Sequence, residues 1–233
     1  MKNFKRGVIN GIPVGLGYLS VSFSFGIMAV SYGLSVWQAT LISMLTVTSA
    51  GQLAGIGIMI HPGQYFQMLL SQITINLRYS FMSVSVAQKT EDKFNGIYRW
   101  LCGFMMTDEI FALSIAEDTV TVSYFAGLCV TPYIGWSLGT FLGALMGNIL
   151  PERIMSALGL AIYAMFVAIV VPDMKKDNAI VFTVIVSIAL SCMFKYVPLL
   201  NSISSGITIS VTAIIAAILA SVIFPIKEEE ING

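Results

Sequence analysis

Long apolar runs parted by short polar turns constrain this chain more than any other feature. A helix needs about 20 apolar residues to cross the hydrocarbon core of a bilayer. Eight stretches approach that length, at 7–32, 36–60, 64–88, 97–116, 123–149, 154–171, 178–194 and 206–224. Turns such as His61-Pro62-Gly63, Lys89 to Asn95 and Pro151-Glu152-Arg153 separate them. Only 10% of the 233 residues are charged, against roughly 25% in a soluble domain. Lipid does not solvate ions, so a lipid-facing surface drops them. The expected fold class is therefore all-α: a polytopic transmembrane helix bundle of about seven to eight membrane segments, a single integral membrane domain over residues 1–233. The basic start, Met1 to Arg6, precedes an apolar run too long for a signal peptide, so 7–32 reads as the first membrane helix.

Other classes fall away on composition. A net charge of zero argues against a nucleic-acid partner, which needs a basic surface. His61 is the sole histidine, and Cys102, Cys129 and Cys192 lie in apolar stretches without metal-ligand spacing, so no metal is expected and the cysteines read as small core hydrophobes. No H-E-x-x-H, Walker loop or G-x-S-x-G occurs, so neither enzyme chemistry nor a cofactor is expected. Movement of a solute by such a chain draws on an ion gradient or on the solute's own gradient.

Lys and Arg placement constrains topology. If all eight segments cross with the N-terminus inside, six basic residues stand inside and five outside, almost no bias. If the second segment enters and leaves on one side, Lys2, Lys5, Arg6, Lys89, Lys93, Arg99, Arg153 and Lys195 stand inside and three stand outside. The second segment also has a run of small and polar residues at its middle, Thr46-Val47-Thr48-Ser49-Ala50-Gly51-Gln52. A broken or re-entrant element is expected there, and a plain helix with a polar interior face is the alternative. Non-helical backbone at that depth survives only against protein or a water cavity, and secondary transporters bind solutes at such breaks.

Three charges stand far from any turn. Arg78 lies in Gln72-Ile73-Thr74-Ile75-Asn76-Leu77-Arg78-Tyr79-Ser80, about 16 Å along a helix from Lys89, too far to snorkel. Asp108 and Glu109 lie about as deep in the next segment. A hairpin through the loop after Lys89 matches their depths, so an Arg78 pair with Asp108 or Glu109 is the simplest accommodation. Its alternatives are a packing ion pair and a coupling or substrate site. One arginine facing two acids favours the second, the unmatched acid taking a proton or a solute's ammonium. In the third segment, Gln72, Asn76, Tyr79 and Ser83 share one helix face. Ser71, Thr74, Arg78 and Ser85 share a roughly opposite one, which places this helix centrally. Gly135, Gly139, Gly143 and Gly147 recur every fourth residue, a ridge for close backbone approach; Gly11 and Gly15 repeat it briefly.

Ser49-Ala50-Gly51-Gln52-Leu53-Ala54, then Asn76-Leu77-Arg78-Tyr79, then Thr107-Asp108-Glu109-Ile110-Phe111-Ala112-Leu113, in that order and spacing, resemble the AzlC family. This is the large subunit of branched-chain amino acid exporters of the azaleucine-resistance type. The motifs concentrate between Gly11 and Leu113, and the second half matches mainly in hydropathy. The family's Gln-Phe is Gln52-Leu53 here. The resemblance implies export of hydrophobic amino acids and a small hydrophobic AzlD-like partner subunit. It also implies multi-pass location in a bacterial inner membrane. The residues placed at such a substrate or coupling site are Arg78, Asp108, Glu109, Asn76, Gln52, Gly51, Gln72 and Tyr79. Asp108 or Glu109 would hold an ammonium or the coupling proton, and Arg78 or backbone N–H groups near Gly51 a carboxylate. A non-transporting assembly subunit and a passive channel are the alternatives.

Overall fold

The computed structural model describes residues 2–147, 167, 170–172, 174–203 and 205–225. Its named elements are helices: α1 Lys2–Ser31, α2 Val36–Leu45, α3 Ser49–Met59, α4 Tyr65–Ala87, α5 Ile97–Phe104, α6 Asp108–Ile115, α7 Val122–Gly147, α8 Asn178–Tyr196 and α9 Ser205–Ile223. Among the described residues the only β-type pairing is one isolated bridge, Thr90 with Val120. By length and composition, α1, α7 and α8 are each able to cross a membrane. The expected segment at 154–171 lies almost wholly outside the described residues. The chain divides into two compact units, Met1–Ile56 with Asn76–Tyr163, and Gly57–Ile75 with Ala164–Gly233. In the second, Phe182 packs on Phe224 (5.7 Å between ring centres) and Thr74 donates to Ser210 Oγ (3.0 Å). Cys192 is exposed on α8, unlike buried Cys102 and Cys129, so the core reading of the cysteines does not hold for it.

The first unit is built on α1 and α7, and glycine is what joins them. A side chain at Gly127, Gly135, Gly139 or Gly143 would strike the backbone of Phe4, Gly15, Leu19 or Phe23, and one at Gly7, Gly11, Gly15 or Gly26 would strike α7 in return. The glycine ridge on α7 therefore has its partner in α1. Backbones this close gain dispersion contacts that lipid, itself apolar, cannot replace by squeezing helices together. Contacts climb both helices in step, from Phe4 at Gly127 to Phe23 at Gly143, so α1 and α7 run parallel and both begin at one end of the unit.

Two hairpins enter this scaffold from opposite ends. α2 descends from the far end: Trp37 lies against Phe141 (5.9 Å), and the Met44 carbonyl accepts from Tyr133 Oη (3.2 Å). Its 10 residues span about 15 Å, half the hydrocarbon core. Thr46 then leaves the helix in extended conformation, and α3 begins at Ser49. Gln52 Nε2 reaches back to Ser43 Oγ at 2.7 Å. Nine residues of continuous helix would hold these positions about 13 Å apart, so the chain turns back. The second segment is thus broken where its small polar run stands.

The second hairpin was not expected. Residues 97–116 do not form one crossing helix. α5 ascends from the end where α1 and α7 start, with Phe94 on Phe125 (5.7 Å) below and Phe104 on Tyr133 (6.2 Å) above. Met105 and Met106 carry the turn, and α6 returns to the same end, where Glu117 pairs with Arg6 and Lys89 Nζ donates to the Ile115 carbonyl (2.8 Å). The Thr90–Val120 bridge ties the two ends of the hairpin together. Two 8-residue helices of about 12 Å each cannot span a bilayer singly. Lys89, Lys93 and Arg99 consequently share an end with Lys2, Lys5 and Arg6, the grouping that a re-entrant second segment predicts.

Candidate functional site

The tips of the two hairpins reach the middle of the first unit and meet α4 within one turn. Thr48, in the α2–α3 turn, donates through Oγ1 to Asn76 Oδ1 at 2.8 Å. Asp108, at the start of α6, lies with Oδ2 2.9 Å from Arg78 Nη2. The Arg78 pairing with Asp108 is one of the two that the depth argument allows. The guanidinium also donates to Tyr79 Oη (3.1 Å) and lies 4.9 Å from the centre of that ring. The pair is not sealed: the Arg78 side chain is 46% exposed and that of Asp108 33%.

Local sequence explains why the acids stand here. Thr107 is extended and accepts the Ile110 N–H at its hydroxyl (3.4 Å), the capping arrangement that starts a helix. Asp108 and Glu109 follow in the first turn, where the partial positive charge of the helix N-terminus favours carboxylates. In apolar surroundings that dipole counts for more than at a wet surface. Thr-Asp-Glu is thus a helix-start signature as well as a pair of charges, and it was the available signal for the break.

Glu109 has a different partner from Asp108. Its Oε2 lies 2.5 Å from the hydroxyl of Tyr18 on α1, which is also 2.7 Å from Thr107 Oγ1. A phenol carries one proton, so Tyr18 donates to one neighbour and accepts from the other when both bonds are made. Among the described residues no cation pairs with Glu109. The tip therefore carries one positive and two negative side chains, and the unbalanced carboxylate is the one facing a neutral phenol. Sequence reasoning missed Tyr18. The signal was its place on α1, in phase with Gly11, Gly15 and Ser22 on the face that meets the rest of the unit.

The other tip contains no charge. Gln52 donates to Ser43 Oγ and accepts from Trp136 Nε1 (3.0 Å), while Ser43 shares a 2.6 Å bond with Thr140. All four side chains of this network, on α2, α3 and α7, are buried. Gly51, in the first turn of α3, donates its N–H to Thr48 Oγ1 (3.3 Å). Tyr18 packs edge-on against Trp136 (5.3 Å), which places one aromatic contact between the two tips. Gln72, six residues before Arg78, stands in the part of α4 that belongs to the second unit. The first-unit part thus brings together Arg78, Asp108, Glu109, Asn76, Tyr79, Gln52 and Gly51 around the tips.

Comparison with known proteins sets the chain among membrane proteins. A protein of Archaeoglobus fulgidus, described as an uncharacterized membrane protein, is 35% identical over 74% of this chain and 76% of its own length. The inner membrane protein YgaZ of Escherichia coli K12 is 22% identical over 77% of each chain. No solved structure matches. The family model described as AzlC protein matches residues 13–150, a span that holds both hairpins, α4 and all of α7. This chain is a membrane protein that belongs to the AzlC family.

Proposed function

We propose that the chain is the transporting subunit of a secondary exporter of branched-chain or similar hydrophobic amino acids. It works in a bacterial inner membrane beside a small hydrophobic AzlD-like subunit and draws on an ion gradient. The observation that carries this reading is the charged tip of the α5–α6 hairpin, half open at mid-depth beside Arg78. Broken half-helices at that depth are where secondary transporters hold solutes and ions. The inner membrane in the name of the Escherichia coli relative supports the location. The basic end of the first unit, with Lys2, Lys5, Arg6, Lys89, Lys93 and Arg99, then faces the cytoplasm.

A zwitterion suits this site because it can replace a pair without stranding a charge. Its carboxylate takes the Arg78 guanidinium, in the bidentate geometry that arginine offers. Its ammonium takes Asp108. Each protein charge exchanges one partner for another, so the several kcal/mol cost of an unpaired ion in lipid is avoided. Glu109, set on Tyr18, carries the coupling proton. Val47, Met105 and Met106, part of the apolar core beside the tips, receive the side chain. Such a wall discriminates among apolar side chains only modestly, by about 1–3 kcal/mol per methylene.

Counterflow of radiolabelled leucine in proteoliposomes tests the reading, with this chain alone, with its small partner, and with Arg78→Ala in each. Exchange by the wild type that Arg78→Ala abolishes is the expected result. No exchange of leucine, isoleucine, valine or methionine by folded protein in any preparation would overturn it. Exchange that Arg78→Ala leaves unchanged would remove the tip from the path.

A further inference from the structure

A cavity runs from Met106, at the α5–α6 tip, toward the basic end of the first unit. It occupies about 210 Å³ between the last turns of α4, the loop before α5, α5 itself and the start of α7. Val84, Val86, Phe94, Cys102, Met106 and Phe125 make its wall, and Arg99 stands among the lining residues. The phase of α5 explains the arrangement. Arg99, Cys102 and Gly103 share the helix face turned to the cavity, whereas Ile97, Trp100 and Leu101 are exposed on the other. A face bearing those three side chains belongs in lipid, with Trp100 and Tyr98 at the depth where aromatic residues gather at a membrane surface.

We propose that this cavity seats one acyl chain of an anionic phospholipid from the surrounding leaflet, with its phosphate held by Arg99. The geometry supplies both halves of such a ligand. The wall is apolar, and Arg99 is fixed by donating Nε to the Phe94 carbonyl (2.9 Å). Among the described residues its Nη groups have no protein partner. A guanidinium with two free amino groups matches a phosphate bidentately. The neighbouring charges favour an anion. Lys93 is exposed on the same loop, and Lys89 is held by the carbonyls of Ile115 and Glu117. Of the loop's two acids, Glu91 accepts the Val122 N–H (2.9 Å) and Asp92 is exposed. A basic pocket beside membrane helices at the cytoplasmic surface is where anionic headgroups bind. A soluble ligand fits less well, because α5 presents its exposed apolar face beside the cavity.

The test is native mass spectrometry of the full chain after exchange into nanodiscs of phosphatidylglycerol mixed equally with phosphatidylcholine. Arg99→Ala, Lys93→Ala and Gly103→Leu are measured beside the wild type, and thermal melting in each lipid verifies folding. Gly103 has open space where a Cβ would stand, so leucine fills cavity volume without striking the backbone. The wild type is expected to retain one phosphatidylglycerol in preference to phosphatidylcholine. Arg99→Ala should weaken that preference about tenfold, the loss of one charge-assisted contact. Gly103→Leu should remove the retained lipid, and Lys93→Ala should change little. Phosphatidylglycerol should raise the melting temperature of the wild type and not of Arg99→Ala. Equal retention of the two lipids overturns the proposal. So does equal weakening by Lys93→Ala and Arg99→Ala, or retention that survives Gly103→Leu.

Discussion

The two hairpins of the first unit have the same outline and opposite chemistry. Each is a pair of short helices that reaches mid-depth and turns back, and each tip touches α4 between Asn76 and Arg78. At the α2–α3 tip every named polar side chain is neutral, buried and answered by another: Gln52 by Ser43 and Trp136, Ser43 by Thr140. At the α5–α6 tip the groups are ionic and half open, and among the described residues one carboxylate is bonded to a phenol and paired with no cation. A satisfied neutral network in low dielectric is rigid, because opening it strands polar groups. An ion pair that a charged solute can replace, partner for partner, opens at far lower cost. The first tip is built to hold position and the second to exchange partners.

Asp108→Asn should have the largest effect on function. It keeps the shape and removes the charge that an ammonium needs. Leucine exchange is expected to fall at least about hundredfold, the worth of a charged hydrogen bond of ~3 kcal/mol. Protein yield and melting should hold, because asparagine still bonds Arg78. Normal exchange by this variant would take Asp108 out of the mechanism. Glu109→Gln should separate the two acids. Exchange at equal internal and external leucine should stay within about threefold of wild type, while uphill export driven by a pH gradient is lost. Proton flux followed by a trapped pH dye measures the difference. A Glu109→Gln protein that still exports uphill would move the proton elsewhere.

Much of this arrangement was legible in the sequence, for reasons that differ between the hairpins. The membrane bundle follows from apolar length, and the close pairing of α7 from glycines spaced by four. The break at Thr46 to Gln52 was readable because a run of small polar residues at mid-depth has few other uses. The α5–α6 break was not read, although Thr107-Asp108-Glu109 is a helix start. The charges drew attention to themselves as buried ions and concealed their second role as residues of a first turn. Arg78 and Asp108 were matched by depth alone, and that match survives, since a re-entrant hairpin places Asp108 as deep as a crossing helix would. Tyr18 was hidden because a lone tyrosine in an apolar helix has no pattern until its neighbour is known. The role of Gln52 shows the limit of motif reading: the motif marked the residue, and only packing shows that both ends of its amide are already bonded to protein.

That occupancy makes Gln52→Leu the contrasting experiment. Removing the amide strands the Trp136 N–H, and Ser43 loses one partner. Each buried unsatisfied group costs about 1–3 kcal/mol. The melting temperature should drop clearly, while exchange per folded molecule changes less than about threefold. A variant that melts normally and loses exchange would make Gln52 a substrate contact. The distinction drawn between the tips would then fail on its neutral side.

Tyr133→Phe should have the smallest effect and is the finest probe, because Tyr133 touches both tips. Its hydroxyl donates to the Met44 carbonyl at 3.2 Å, and its ring packs on Phe104 at 6.2 Å. Phenylalanine keeps the ring contact and gives up one hydrogen bond, worth about 0.5–1.5 kcal/mol net. If the α2–α3 tip only holds position, exchange should stay within about twofold and melting should shift by less than in Gln52→Leu. A tenfold loss of exchange at unchanged melting would mean that the hydroxyl carries displacement from one tip to the other. In that case the neutral hairpin moves with the charged one during the cycle, and its buried network is part of the moving body.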